Sequence, residues 1–262
     1  MDFKLTDEQE LIVDSYREYM ESENWETYFH ECDERHVYPL RWVAGLCELG
    51  FDQIMLPESH GGLGLEQPCV TLMAVYEVLG RYGAPTYVLY QLPGFETIIR
   101  EGTQEQIDAV MSTLGSGEQI WNSACTEPGA GSDVGALATT YKRENGKIYL
   151  NGTKTFITNG SISDIYVVFA KTDPEAGAHG ITGFLIDGDT PGLAAGAKEH
   201  KMGFRLSDTT EVVLENVRVP QSAVIGEVGQ GMSIALNALN LSRAFISTLA
   251  VGIMQRALDE AV

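Results

Sequence analysis

Apolar positions recur at helical spacing through the first 118 residues. Leu11, Ile12, Tyr16, Tyr19 and Met20 fall at helical spacing, behind a Thr6–Gln9 pair that reads as a capping box. Pro39 suits a first helical position, and Leu40, Val43, Leu46, Cys47 and Leu49 follow before Gly50 stops the run. Residues 68–79 are apolar almost all round, as a buried helix would be. Thr103 with Gln106 forms a second capping box, ahead of Ile107, Val110, Met111 and Leu114.

The period changes after the Gly115-Ser116-Gly117 break. From Gln119 to about Ile225 the segments are short, β-branched and aromatic: KIYL, KTFIT, DIYVVFA, GITGFLID and TEVVLENVRVP. Asn-Gly pairs at 145–146, 151–152 and 159–160 predict tight hairpin turns, because both central residues of such a turn need positive φ. Helical spacing returns after Gly231, with Ile234, Leu236, Leu239, Leu241, Ile246, Leu249, Ile253 and Met254. The expected class is α+β, with segregated layers. The expected domains are a helical one over 1–118, a small antiparallel β-barrel over 119–228, and the first helix of a further helical domain over 229–262.

Composition narrows the function. Seventeen Lys and Arg stand against 37 Asp and Glu, a formal net charge of -20, which repels nucleic acid and offers an anionic membrane nothing basic. Cys32, Cys47, Cys69 and Cys125 show no Cys-x-x-Cys spacing, and the five histidines show none typical of metal ligands. No metal site is expected. The acidic N-terminus has no apolar leader, and no apolar run near 18 residues stands out, so the chain reads as cytoplasmic without membrane insertion.

The chemistry-bearing segment is TEPGAGSDVG, residues 126–135. Three glycines and a proline lie among Thr126, Ser132 and Asp133. Its Gly-x-Gly is followed by the next Gly at 135, so the dinucleotide fingerprint fails by one residue, and a strand rather than a helix follows. No Gly-Lys-Ser/Thr is present for a P-loop. Such a loop alone reads as surface, or as a bare backbone that approaches a ligand closely.

TEPGAGSDVG and then NGTKTFITNG at 151–160 resemble the flavin-domain signature of the acyl-CoA dehydrogenases. Further matches run in order: LPESHGGLG (56–64), REGTQEQI (100–107), KMGFRLSDTTEVVLENVRVP (201–220), and LNLSR with QRALDEA (239–261). Residues 83–108 are similar to the crotonobetainyl-CoA reductase branch. The resemblance implies FAD as cofactor, an acyl-CoA substrate, electron-transfer flavoprotein as redox partner, and a homo-oligomer or a partner subunit. It implies that Ser123, Ala124, Cys125, Thr126, Gly131 and Ser132 wrap the flavin, with Thr126 at the isoalloxazine edge and Ser132 also at the acyl-CoA entrance. Where the family often has Trp-Ile-Thr, this chain has Phe156, Ile157 and Thr158, keeping an aromatic wall but losing an indole donor. Asn240, Leu241, Ser242 and Arg243 match a substrate-contacting helix. Without the family match, Arg243 reads as an ordinary helix–helix salt-bridge residue.

The family removes an α-proton with a carboxylate while a hydride leaves the β-carbon for the flavin. The resemblance places that Glu beyond residue 262, so no catalytic base is expected within this chain. Three further readings stay open: enoyl-CoA reduction in the reverse direction, a non-catalytic or split subunit completed by another chain, and an acyl-CoA oxidase. An uncovered apolar stripe on the last helix would favour association.

Overall fold

The computed structural model describes residues 4–89, 92–172 and 174–262. Residues 90 and 91, within the stretch that resembles the reductase branch, lie outside the described residues. The first layer is helical: α1 (Asp7–Glu21), α2 (Trp25–Arg35), α3 (Leu40–Glu48), α4 (Pro68–Arg81), α5 (Leu92–Glu101) and α6 (Gln104–Met111). Both capping boxes form. Thr6 and Thr103 accept from the backbones of Gln9 and Gln106, whose side chains reach back to the cap N–H groups. Pro39 caps α3, one residue outside its predicted place. The helical core gathers Tyr16, Trp25, Phe29, Trp42, Leu46, Phe51, Leu72, Val75 and Leu79.

Eight strands follow: β1 (Trp121–Ala124), β2 (Thr140–Glu144), β3 (Lys147–Thr158), β4 (Ile165–Lys171), β5 (Ile181–Asp187), β6 (Leu193–Lys198), β7 (Thr209–Val219) and β8 (Val224–Ile225). They form one sheet in the order β6-β7-β3-β2-β4-β5-β8, with β1 added parallel to β4. The expected barrel is corrected: the two-residue β8 and the exposed β6 do not pair, so the sheet is open, and β1/β4 and β2/β4 are parallel. Asn145-Gly146 makes the β2–β3 turn, with φ of 50° and 72°. Asn159-Gly160 makes no hairpin: Asn159 follows β3 at φ 60°, Gly160 is not at positive φ, and β3 pairs with β2 and β7 rather than with β4. Asn151-Gly152 is not a turn. KIYL and KTFIT are one 12-residue strand, and a side chain at Gly152 would meet Thr139 Cα at 2.8 Å.

The last element, α7 (Gly231–Ala261), spans 31 residues and packs on α4, α5 and β5. Tyr76 stacks on Phe245 with ring centroids 5.7 Å apart. At the crossing of α4 and α7, an added Cβ at Gly252 would lie 2.0 Å from the Glu77 carbonyl oxygen, and one at Gly80 would lie 2.4 Å from that of Leu249. Helix α7 corrects the statement that no long apolar run exists: by length and composition alone it could cross a membrane, with mean hydropathy 1.4 over its best 18 residues. Helix α7 packs on α4, but only 22% of that stretch is buried, and Ile246, Val251, Ile253, Met254 and Leu258 stand exposed along it. Gln106 ties the helical layer to the sheet, its amide donating to the carbonyls of Ser222 and Val224.

Candidate active site

Strand β1 delivers its chain into the glycine-rich loop between the sheet and α7. Successive side chains of a strand face opposite ways. Trp121 and Cys125 belong to the core on the α7 side, while Ala124 is buried in the opposite core of the sheet. Beyond Cys125 the loop folds back sharply: Glu127 and Ala130 exchange backbone hydrogen bonds of 2.9 and 3.1 Å around Pro128-Gly129. A side chain added at Gly129 or Gly131 would meet nothing within 4 Å, so the loop presents bare backbone to open space.

A cavity of about 200 Å³ lies against this loop. Its sheet side is Ser123, Cys125, Thr126, Gly131, Phe156, Ile157 and Thr158, and its helix side is Thr97 of α5 with Ala235, Ala238 and Leu239 of α7. Two hydroxyls, Thr126 and Thr158, therefore face one space from separate segments. Phe156 stands at the mouth, 63% exposed and at φ 56°. A bulky residue rarely adopts that conformation, and the register shift between Lys154 and Ile157 produces it. No carboxylate or imidazole is among the described lining residues.

Beneath the loop sits a buried ion pair. Lys154 is fully buried, and its ammonium donates to Glu127 Oε1 at 2.7 Å, to the Phe169 carbonyl at 2.6 Å and to the Cys125 carbonyl at 3.3 Å. The Glu127 carboxylate also accepts from the backbone N–H groups of Ala138 and Thr139. Burial pushes the Glu127 carboxyl up, but Lys154 and these donors outweigh it and hold it below the usual carboxylate range. Burial pushes the Lys154 ammonium below the usual lysine range, and Glu127 opposes that shift. Burial raises the Cys125 thiol, which Lys154 partly counters, so Cys125 stays protonated at neutral pH.

The residues singled out from the sequence separate. Ser123, Cys125, Thr126, Gly131, Phe156, Ile157 and Thr158 line one cavity, whereas Ala124 faces the other side of β1 and Ser132 is exposed on the loop. Of the α7 set, Ser242 lines a second cavity of about 270 Å³, which shares Thr158 with the first and is walled by Tyr76, Leu89, Phe204, Phe245 and Ile246. Leu241 packs into the helical core, and Asn240 and Arg243 are exposed. The second cavity was not foreseen, nor were Ala235, Ala238 and Leu239. Their spacing of three and four residues was the available signal.

The family pattern described as acyl-CoA dehydrogenase, N-terminal domain, matches residues 6–118, and the one described as acyl-CoA dehydrogenase, middle domain, matches residues 122–217. The chain belongs to the acyl-CoA dehydrogenase family. Butyryl-CoA dehydrogenase from Megasphaera elsdenii is 33% identical, with a TM-score of 0.92 over 100% of this chain and 69% of that one. A structure described as the electron transferring flavoprotein of Acidaminococcus fermentans, in work on flavin-based electron bifurcation, is 34% identical, with a TM-score of 0.90 over 99% of this chain and 68% of that one. PigA, solved with FAD and proline, is 28% identical, with a TM-score of 0.87 over 99% of this chain and 68% of that one. This acyl-CoA dehydrogenase family member thus carries the oxidoreductase fold of its relatives across about two-thirds of their length.

Proposed function

We propose that this family member binds FAD in the cavity between the glycine-rich loop and α7, and acts there on an acyl-CoA thioester, removing hydrogen across its α,β bond. The observation that carries this is the meeting of Thr126, Thr158, Gly131 and Phe156 around one cavity walled by α7. Those residues fit a flavin: bare backbone for close approach, two hydroxyls for a polar ring edge, and an aromatic side chain beside a planar group. Bound FAD supplies the hydride acceptor.

Positioning of cofactor and substrate falls to the chain's own residues. Thr126 and Thr158 orient the ring edge, with Ser123 and Cys125 alongside them, and Ile157 closes the wall. Ser132, exposed on the loop next to cavity-lining Gly131, is free to meet the phosphate-bearing end of the thioester. On α7, Ala235 and Ala238 leave room for an acyl chain that Leu239 and Thr97 would flank. Ser242 reaches the adjoining cavity. Exposed Arg243 is available to an anionic substrate, and Asn240 and Leu241 set its turn. The α-proton acceptor is not among the described lining residues. Likeness to butyryl-CoA dehydrogenase supports a short acyl chain, and likeness to the bifurcation-related structure supports electron-transfer flavoprotein as acceptor.

The test is to purify the chain, add FAD, remove free cofactor, and record the visible spectrum before and after anaerobic butyryl-CoA. Retained flavin that bleaches supports the reading, and Thr126→Val with Thr158→Val should slow bleaching at least about tenfold. Failure to retain flavin would sink it.

A further inference from the structure

The glycine-rich loop is held from below by two fully buried lysines. Lys154 grips its beginning, at the Cys125 carbonyl and the Glu127 carboxylate. Lys171, 1% exposed, grips its end, donating to the Gly135 carbonyl at 2.6 Å. Between them the Thr126 carbonyl accepts from the Thr155 backbone at 2.9 Å, next to Lys154 on β3. A fully buried lysine is costly unless its charge is met. Lys154 stands out because its ammonium meets three acceptors on two segments: the Cys125 carbonyl and the Glu127 carboxylate at the loop, and the Phe169 carbonyl of β4. An apolar side chain of similar length would fill the same space without orienting a carbonyl. The charge therefore has a directional consequence that packing does not.

We propose that Lys154 is a positioning residue for the candidate active site: paired with Glu127, it fixes the Cys125–Thr126–Glu127 backbone so that Thr126 faces the cavity beside Thr158. This rests on the cavity being the flavin site, but the brace itself is a property of the ligand-free chain. The geometry couples the two. The Lys154 ammonium bonds the residue before Thr126 and the residue after it, and β3 carries Phe156 and Thr158 only two and four positions beyond Lys154. One side chain thus registers both walls. Glu127 extends the hold, because its carboxylate also receives Ala138 and Thr139, where the chain enters β2.

Amide hydrogen exchange on the full ligand-free chain tests the brace. In Lys154→Met the amides of Thr155, Ala138 and Thr139 should exchange at least about tenfold faster, since hydrogen bonds to charged groups are worth more than neutral ones. Amides of α1 and α4 should keep their wild-type rates. With FAD added, the variant's Kd should rise at least about tenfold and the fine structure of the flavin's visible band should blur. The double variant Glu127→Gln with Lys154→Met removes the uncompensated carboxylate, so its melting temperature should return towards wild type. Its loop exchange and flavin spectrum should not, because the Cys125 and Phe169 carbonyls remain unheld. If the double variant recovers both, the lysine merely neutralises Glu127 and the proposal falls. Unchanged loop amides in Lys154→Met, or acceleration spread evenly over the chain, also overturn it. Should Lys154→Met fail to fold, the isosteric Glu127→Gln decides: it should speed Ala138 and Thr139 several-fold, and wild-type rates there refute the brace. A wild-type chain that takes no FAD would count against the cofactor reading alone, leaving the exchange result to decide the brace.

Discussion

Replacing Gly252 with alanine tests the crossing of α4 and α7 by the sign of its effect. On an isolated helix this change is favourable by up to about 1 kcal/mol, since glycine is a poor helix former. Here the new methyl would lie 2.0 Å from the Glu77 carbonyl oxygen and 2.8 Å from the Arg81 nitrogen, and both are backbone atoms that no rotamer can move. Ordinary contact begins near 3.4 Å. The two helices would have to part by more than about 1 Å, and a gap of that size forfeits a quarter to a half of the dispersion energy of the atoms facing it. Tyr76, Leu79, Phe245 and Leu249 are buried at this crossing. Strain and lost contacts together come to roughly 3 kcal/mol, so the net destabilisation is about 2 kcal/mol after the propensity gain. Melting temperature by circular dichroism should fall by about 4–8 °C for a chain of this size. Ser247→Ala, exposed on the same helix, is the control and should be neutral within about 0.5 kcal/mol. An unchanged or higher melting temperature for Gly252→Ala would show that the crossing is not close, and the argument would fail.

Other expectations follow from the same geometry. Asp52 is 4% exposed, and burial pushes its carboxyl above the usual range despite the Gly115 N–H it accepts. The folded chain therefore holds this proton more tightly than the unfolded chain. The resulting stability is fully present below the unfolded pKa and is lost as pH rises through the folded one, so Asp52→Asn should gain progressively on wild type in urea titrations as pH rises above about 4. A constant difference across that range would refute the assignment. Gln106→Leu strips partners from Thr103 N–H and from the Ser222 and Val224 carbonyls, and should cost about 2 kcal/mol or more in chemical denaturation. A loss below about 0.5 kcal/mol would mean water replaces the amide readily. Phe156→Gly should leave the melting temperature unchanged or raised, because relief of the positive φ, about 1 kcal/mol, offsets the loss of a side chain that is mostly exposed. A large drop would show that the ring is packed.

What could be read from the sequence was local. Both capping boxes, the Asn145-Gly146 turn and the start of α7 at Gly231 depend on a few neighbouring residues, and each formed as expected. Where a distant segment decides, local rules failed. Asn151-Gly152 has hairpin chemistry, but its glycine serves the close approach of Thr139 within a continuous strand. Strand β6, with the sequence LAAGAK, has little intrinsic β preference and exists by pairing with β7. Closure into a barrel requires the two edges to meet, and no short motif encodes that. The loop at 126–135 was conspicuous from its glycines, and most residues assigned to it share the cavity. The brace beneath it was not, because a lysine between two threonines carries no mark of burial until β3 is bulged and β4 laid beside it.

Helix α7 is one unbroken rod. It carries Ala235 and Ala238 at the cavity and Gly252 at the α4 crossing, about 21 to 25 Å apart at 1.5 Å per residue. A stiff rod transfers a small tilt at one contact to the contacts further along it. The width of the cavity is thus set partly by the glycine contact at the far end. Sequence changes there, remote from any reacting atom, are a route by which relatives sharing one loop could come to accept acyl groups of different girth.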